Sequence, residues 1–204
     1  MSNISIDNLD LGYEQCKTIS DSIENEGNAV LLKEFRDTID DLKTYWKSND
    51  ATEHINNLIA MYRTLGGHLN SLKANIKSSA DGIIGIQTLR SANGGNGQIG
   101  AKLGDSIDVV AITDAVATEE YNMDAEQTKR IHARLKALSD SYEEYMTRTN
   151  NNKDTLLTNW KKGANRESVR EAFEVLFSQK EKNKELFANA ISKLGEAFSN
   201  TDKL

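Results

Sequence analysis

The 204-residue chain has no proline, one cysteine and two tryptophans. Average usage would place about ten prolines in a chain of this length. Proline removes a backbone donor and clashes with the preceding helical turn, so its absence fits a chain that is mostly helix interior. A single cysteine excludes an internal disulfide. Cys16 falls on the apolar face of the first helical pattern and reads as a small buried hydrophobe. No apolar run reaches the ~18 residues of a membrane-spanning helix. The opening residues, Met1-Ser2-Asn3-Ile4-Ser5-Ile6-Asp7, carry neither the basic nor the apolar region of a cleavable secretory signal.

Clustered positive charge is missing as well. A formal net charge of -6 argues against a protein that tracks nucleic-acid phosphates. The acid excess lies before residue 117; beyond it acids and bases balance and intersperse, as on solvated helix faces. The residues of catalysis are also thin. His54, His68 and His132 are isolated, with no His-x-x-x-His pair and no Glu-x-x-His pattern for a metal. Gly94-Gly95-Asn96-Gly97 lacks the Lys-Ser/Thr of a phosphate loop. Asp40-Asp41 and Glu143-Glu144 have basic neighbours and read as surface charge. The expectation is a protein without catalytic, metal or cofactor site, and not an enzyme.

What the chain does contain is helical periodicity. Leu9, Tyr13, Cys16, Ile19, Ile23, Val30, Phe35, Ile39, Leu42 and Trp46 mark one face of a first helix, with a kink or break expected near Gly27. Residues 48–51 supply capping types for the next helix. There Ile55, Leu58, Tyr62, Leu65, Leu69, Leu72 and Ile76 alternate three and four, a heptad register that predicts knobs-into-holes packing. With so short a connection, these two helices are expected to fold back as an antiparallel hairpin, and Gly66-Gly67 to permit close helix approach. Residues 81–107 are glycine-rich and weakly charged and read as a flexible linker. Residues 109–117 suit either the start of a third helix or a short extended piece. Tyr121, Thr128, Ile131, Leu135, Leu138, Tyr142, Tyr145 and Thr149 mark the third helix, with fraying or a bend expected at Asn150-Asn151-Asn152. Val169, Phe173, Leu176, Phe187, Ala190, Leu194 and Phe198 mark the fourth. Its centre, residues 178–185, is polar, and the stems of Lys180 and Lys184 are expected to cover that seam.

The expected fold is therefore all-α, two antiparallel helical hairpins (residues 1–80 and 117–204) joined by a glycine-rich linker (81–116) and forming a four-helix bundle within one chain or through an elongated or linker-swapped dimer. The two tryptophans fall at the junctions. Each has leucine four residues before it, Leu42 for Trp46 and Leu156 for Trp160, and a β-branched residue, Ile55 or Val169, nine residues after it. That spacing reads as an internal repeat.

A long helix, a tryptophan-containing turn and a second long helix resemble the WXG family, small early-secreted-antigen-like substrates of type VII (ESX-like) secretion systems. The resemblance covers residues 9–79 and 117–202, making the chain similar to a tandem of that family. Both motifs depart from the pattern: Ser48 stands in the place of the glycine after Trp46, and Gly163 comes one residue late after Trp160. The resemblance implies a protein of a Gram-positive bacterium, made in the cytoplasm, secreted or surface-bound by a route without a signal peptide, and associated with virulence. Its implied partners are the secretion ATPase or other secretion proteins, and a second copy or another WXG-like protein; nucleic acid and stable membrane insertion are not expected. The family's Tyr-x-x-x-Asp/Glu export tail has its nearest counterpart in Phe198 and Asp202, which with Trp46 would form a composite recognition surface. Two rivals stand beside this expectation: an all-helical pore-forming or membrane-interacting toxin component inserting residues 82–117, and a coiled-coil adaptor.

Overall fold

A computed structural model of the protein describes residues 6–118, 122–160 and 164–201. The fold is an all-α bundle. Helix α1 (Ile6–Ser22) continues through a π-helical stretch (Ile23–Leu32) into α2 (Lys33–Tyr45). A two-residue strand β1 (Trp46–Lys47) leads to α3 (Asn49–Ala92). Residues 95–118 have no regular secondary structure. Strand β2 (Asn122–Met123) then precedes α4 (Ala125–Asn159), α5 (Ala164–Ser178) and α6 (Lys180–Thr201).

The chain packs as two compact units that do not follow sequence order. Unit 1 takes Met1–Asn28, Gly67–Asp108 and Tyr145–Ser178; unit 2 takes Ala29–Gly66, Val109–Glu144 and Gln179–Leu204. Helices α3 and α4 each contribute one part to each unit.

Unit 2 is built on aromatic contacts among four helices. Phe35 of α2 meets Tyr62 of α3 edge-on at 5.8 Å and Phe187 of α6 at 5.4 Å. Phe187 in turn lies 5.8 Å from Tyr142 of α4. Such pairs add to the burial energy of large rings. The polar centre of the fourth pattern is resolved here: Asn183, buried, donates to the Tyr142 hydroxyl at 3.0 Å. Burial pushes the Tyr142 phenol up to about 12, against the opposing effect of that hydrogen bond. Lys184 reaches Glu143 at 3.4 Å.

Unit 1 closes around Leu9, Tyr13, Cys16 and Ile19 of α1, Leu69, Leu72 and Ile76 of α3, and Val169, Phe173 and Leu176 of α5, all buried. Cys16 is fully buried, and its thiol is pushed up to about 12 by burial. Asp10 meets Gln87 and Glu24 pairs with the buried Lys73 in unit 1; Phe35 meets Tyr62 in unit 2.

Several expectations from the sequence are corrected. Near Gly27, where a kink or break was expected, the first helix leaves α winding for the π stretch without breaking, and Gly27 sits where a Cβ would lie 2.7 Å from the Tyr145 hydroxyl. The wider winding shifts the buried face, so Leu31 and Leu32 enter the core while Val30 is 62% exposed. Helix α3 runs to Ala92, through Gly82 and Gly85, where a linker was expected from residue 81. Helix α4 passes through Asn150, Asn151 and Asn152 without interruption. Asn150 joins side-chain bonds with Asp154 and Lys153, at 3.2 and 2.8 Å. The fourth pattern divides at Gln179 between α5 and α6. Gly66 admits not another helix but Val109, whose Cγ1 would lie 2.7 Å from an added Cβ.

Residues 109–117 are neither helix nor strand. In unit 2 they are held by their main chain. The Asn56 side-chain amide accepts from Ala115 N–H at 2.8 Å and donates to its carbonyl at 3.2 Å. Tyr62 donates to the Val110 carbonyl at 2.8 Å, and Lys43 to that of Thr113 at 3.0 Å. In unit 1, Asn70 accepts from Ile107 N–H at 2.7 Å and Tyr13 donates to the Ala101 carbonyl at 2.8 Å. The glycine-rich segment is thus pinned on both sides of residue 108, and not loose as its composition predicts.

Candidate functional site

Of the residues singled out by the sequence, Trp46, Ser48 and Phe198 lie in unit 2. Helix α2 stops at Trp46, whose N–H still bonds the Leu42 carbonyl. From there the chain leaves helical geometry, and Trp46 and Lys47 pair antiparallel with Met123 and Asn122. Ser48 then starts α3: its Oγ accepts from Ala51 N–H at 3.1 Å, and its carbonyl accepts from Thr52 N–H at 3.2 Å. The serine therefore performs the N-cap role that its residue type offers. The Trp46 indole is 3% exposed and lies parallel to the His54 ring, with centroids 6.0 Å apart and planes 5° from parallel.

The last turns of α6 come near the first turns of α3. Phe198, half-buried, meets His132 of α4 edge-on at 5.2 Å. Burial, followed by the neighbouring Lys136 charge, lowers the pKa of His132; a hydrogen bond to the Ile191 main chain opposes this. Glu196 is held below the ordinary carboxylate range by its hydrogen bond from Lys193, with a smaller contribution from His54. Lys193 is raised by the same pair, and Asp50 in the first turn of α3 adds to the effect. Trp46, Ser48, His54, His132, Glu196 and Phe198 thus form one neighbourhood of a buried indole, two imidazoles, a half-exposed phenyl ring and surface charge. Asp202 lies outside the described residues.

The Trp160 junction is in unit 1 and is built differently. Trp160 is half-buried, and its N–H bonds the Leu156 carbonyl at 2.9 Å. The Arg166 guanidinium of α5 donates to the carbonyls of Trp160 and, at 3.4 Å, Leu157. Gly163 lies outside the described residues. Ile55, Leu58, Tyr62 and Leu65 are buried in unit 2, and Leu69, Leu72 and Ile76 in unit 1. This helix-packing face is core and is not available to an outside partner.

Sequence reasoning missed His54, His132 and the polar positions that hold residues 107–115. One signal for the last group was present. Asn56, Arg63 and Asn70 recur every seven residues, one position after Ile55, Tyr62 and Leu69. A polar stripe beside a core stripe marks a second packed neighbour.

Unit 1 also holds an open groove of about 500 Å³ lined by Thr18, Asp21, Asn25, Glu26, Arg148 and Asn152 among others. Arg148 and Glu26 already pair there at 3.1 Å. Among the described residues, no group of three His, Cys, Asp or Glu side chains is placed to hold a metal ion. Comparison of the chain with family models, curated proteins and solved structures gives no match.

Proposed function

We propose that the protein is a non-enzymatic substrate or structural component of a type VII-like secretion system, acting through protein-protein recognition. The observation that carries this reading is the approach, within unit 2, of the last turns of α6 to the first turns of α3, where His54 stacks on Trp46. A recognition surface made from a turn and a remote helix end exists only in the folded chain. It would mark a protein that is recognised, and leaves the cell, folded. The proposed partner is the secretion ATPase or another protein of that machinery, and the proposed destination is the cell surface or medium.

The test is export of the full chain in a host carrying such a system, with and without its ATPase, beside a variant lacking residues 198–204. Export is expected to require both the ATPase and the tail. Unchanged export without the ATPase would sink the reading. Loss of export in Trp46→Ala carries weight only where circular dichroism shows the helices intact, because this indole also serves the core.

A further inference from the structure

Asn-Gly occurs twice in the chain, at residues 93–94 and 96–97, both in unit 1. It is a labile dipeptide, because glycine leaves the following main-chain nitrogen unshielded and able to reach the asparagine Cγ. The fold treats the two pairs in opposite ways. The first is spent in ending α3. Gly94 N–H donates to the Ser91 carbonyl at 3.1 Å and Gly95 N–H to that of Arg90 at 3.0 Å, with Gly94 at φ 78°. These are the two back-bonds of a left-handed glycine cap. The Asn93 side-chain amide donates to the Leu89 carbonyl at 2.7 Å. Both the attacking nitrogen and the side chain it would attack are therefore held.

The second pair lies beyond the cap, exposed, against the Arg90 side chain. The Arg90 guanidinium donates to the Asn96 carbonyl. Two glycines make room for it: an added Cβ would lie 2.6 Å from Arg90 Cγ at Gly95 and 3.4 Å from Arg90 Cζ at Gly97. Among the described residues, no hydrogen bond holds the Gly97 N–H or the Asn96 side-chain amide. The carbonyl that Arg90 grips belongs to the same peptide group as the Gly97 nitrogen. When that N–H is lost, resonance carries the negative charge onto the Asn96 oxygen, where the guanidinium meets it.

We propose that Arg90 makes Asn96 a site of self-modification, deamidating through a cyclic imide. Gly97 N gives its proton to solvent base and attacks Asn96 Cγ. The Cγ–Nδ2 bond breaks, and Nδ2 takes a proton from water and leaves as ammonia. Water then opens the ring, adding its oxygen to a carbonyl carbon and a proton to the Gly97 nitrogen. At the main-chain carbonyl, which Arg90 polarises, this gives isoaspartate, whose freed α-carboxylate faces the guanidinium; at Cγ it gives aspartate. Water is the only reagent consumed. Either product puts the first carboxylate into residues 82–104. Isoaspartate also lengthens the main chain between the α3 cap and Gly100, whose N–H is bonded to Gln87 at 3.1 Å.

Peptide mapping by mass spectrometry of the full chain, aged at mildly alkaline pH both folded and in urea, follows the two sites in one molecule and tests the proposal independently of export. In the folded parent Asn96 should convert about tenfold faster than Asn93, the order of the hydrogen bonds that Asn93 and Gly94 would surrender, with isoaspartate in excess. Arg90→Gln should slow Asn96 roughly three- to tenfold, less than the loss of a donor from a buried oxyanion site because water screens this one. Asn93 should stay slow in that variant, reporting that the α3 cap is intact. In urea the two sites should convert alike, with or without Arg90. Three results would overturn the proposal: Asn93 keeping pace with Asn96 in the folded parent, an unchanged Asn96 rate in Arg90→Gln, or the same preference for Asn96 in urea.

Discussion

The two tryptophan junctions look alike in sequence and differ in the fold. Trp46 is 3% exposed, pressed against His54, with its main chain tied to Met123. Trp160 is half-buried, and Arg166 clasps its carbonyl. The difference teaches that a repeated spacing fixes where a helix ends, but not what the end packs against. Trp46 has strand β2 and the His54 ring of α3 as neighbours within unit 2. Trp160 is tied to the end of α4 through Leu156 and to the start of α5 through Arg166.

The largest test of that contrast is to remove each ring. Trp46→Ala should cost about 3–5 kcal/mol, as for a fully buried aromatic side chain, whereas Trp160→Ala should cost about 1 kcal/mol. Urea unfolding measures both, and equal losses would erase the distinction. A second contrast lies within α3, between adjacent glycines assigned to different units. Gly66→Ala drives a Cβ to 2.7 Å from Val109 Cγ1 and should destabilise by about 1–3 kcal/mol. Gly67→Ala meets nothing within 4 Å and should stabilise the helix by about 0.5–1 kcal/mol. Two changes of the same sign would show that Val109 does not press on α3 at that point.

A smaller effect is expected from the cap. Ser48→Ala removes the acceptor for Ala51 N–H and should cost about 1 kcal/mol, while Ser48→Gly should cost only a few tenths. Thermal unfolding of the two variants distinguishes capping from mere smallness, the property that serine shares with the family's glycine.

The smallest effect concerns pH. His132 has a folded pKa below its ordinary 6.5, with burial the leading cause. Its neutral form therefore contributes stability that is fully present above 6.5 and is lost as pH falls through the lowered folded value. His68 of unit 1 is shifted the same way by burial, so global unfolding mixes the two. Amide exchange at Leu194 and Phe198 isolates the α6 end: their protection, taken relative to the unstructured chain at the same pH, should fall below pH 6.5 in the parent, and His132→Gln should remove that dependence. Carboxylates such as Glu196, already held below 4.5, change the same amides only at lower pH. An unchanged profile in His132→Gln would leave the Phe198 contact without a pH-sensitive partner.

Much of the fold was legible because helix periodicity is local. The stripe from Ile55 to Ile76 and that from Thr128 to Thr149 are buried in the helices where their spacing places them. The misreadings occur where a distant residue overrides a local preference. Gly27 suggested a kink or break; the helix does leave α winding there but does not break, and the Tyr145 hydroxyl fills the space beside it. Residues 81–92 suggested a linker because Gly82 and Gly85 weaken a helix, by about 1 kcal/mol each relative to alanine. The helix persists there, with Ile83 against Gly12 and Gln87 bonded to Asp10. At the candidate surface, Trp46, Ser48 and Phe198 were legible as residue types. Their neighbours His54 and His132 were not, because an isolated histidine on a helix gives no spacing signal.

By itself, the sequence determined that the chain is helical, which faces of its helices are buried and where Ser48 caps α3, since proline content, apolar spacing and capping depend on residues within a few turns. Only the tertiary structure decided that a glycine-rich segment is fastened by its main chain to Asn56, Tyr62 and Asn70, and that Trp46 belongs to unit 2 while Trp160 belongs to unit 1. The physical reason is range. Helix formation is satisfied by hydrogen bonds four residues apart, whereas the partners of an irregular segment or a buried ring lie tens of residues away and become definite only once the helices have packed.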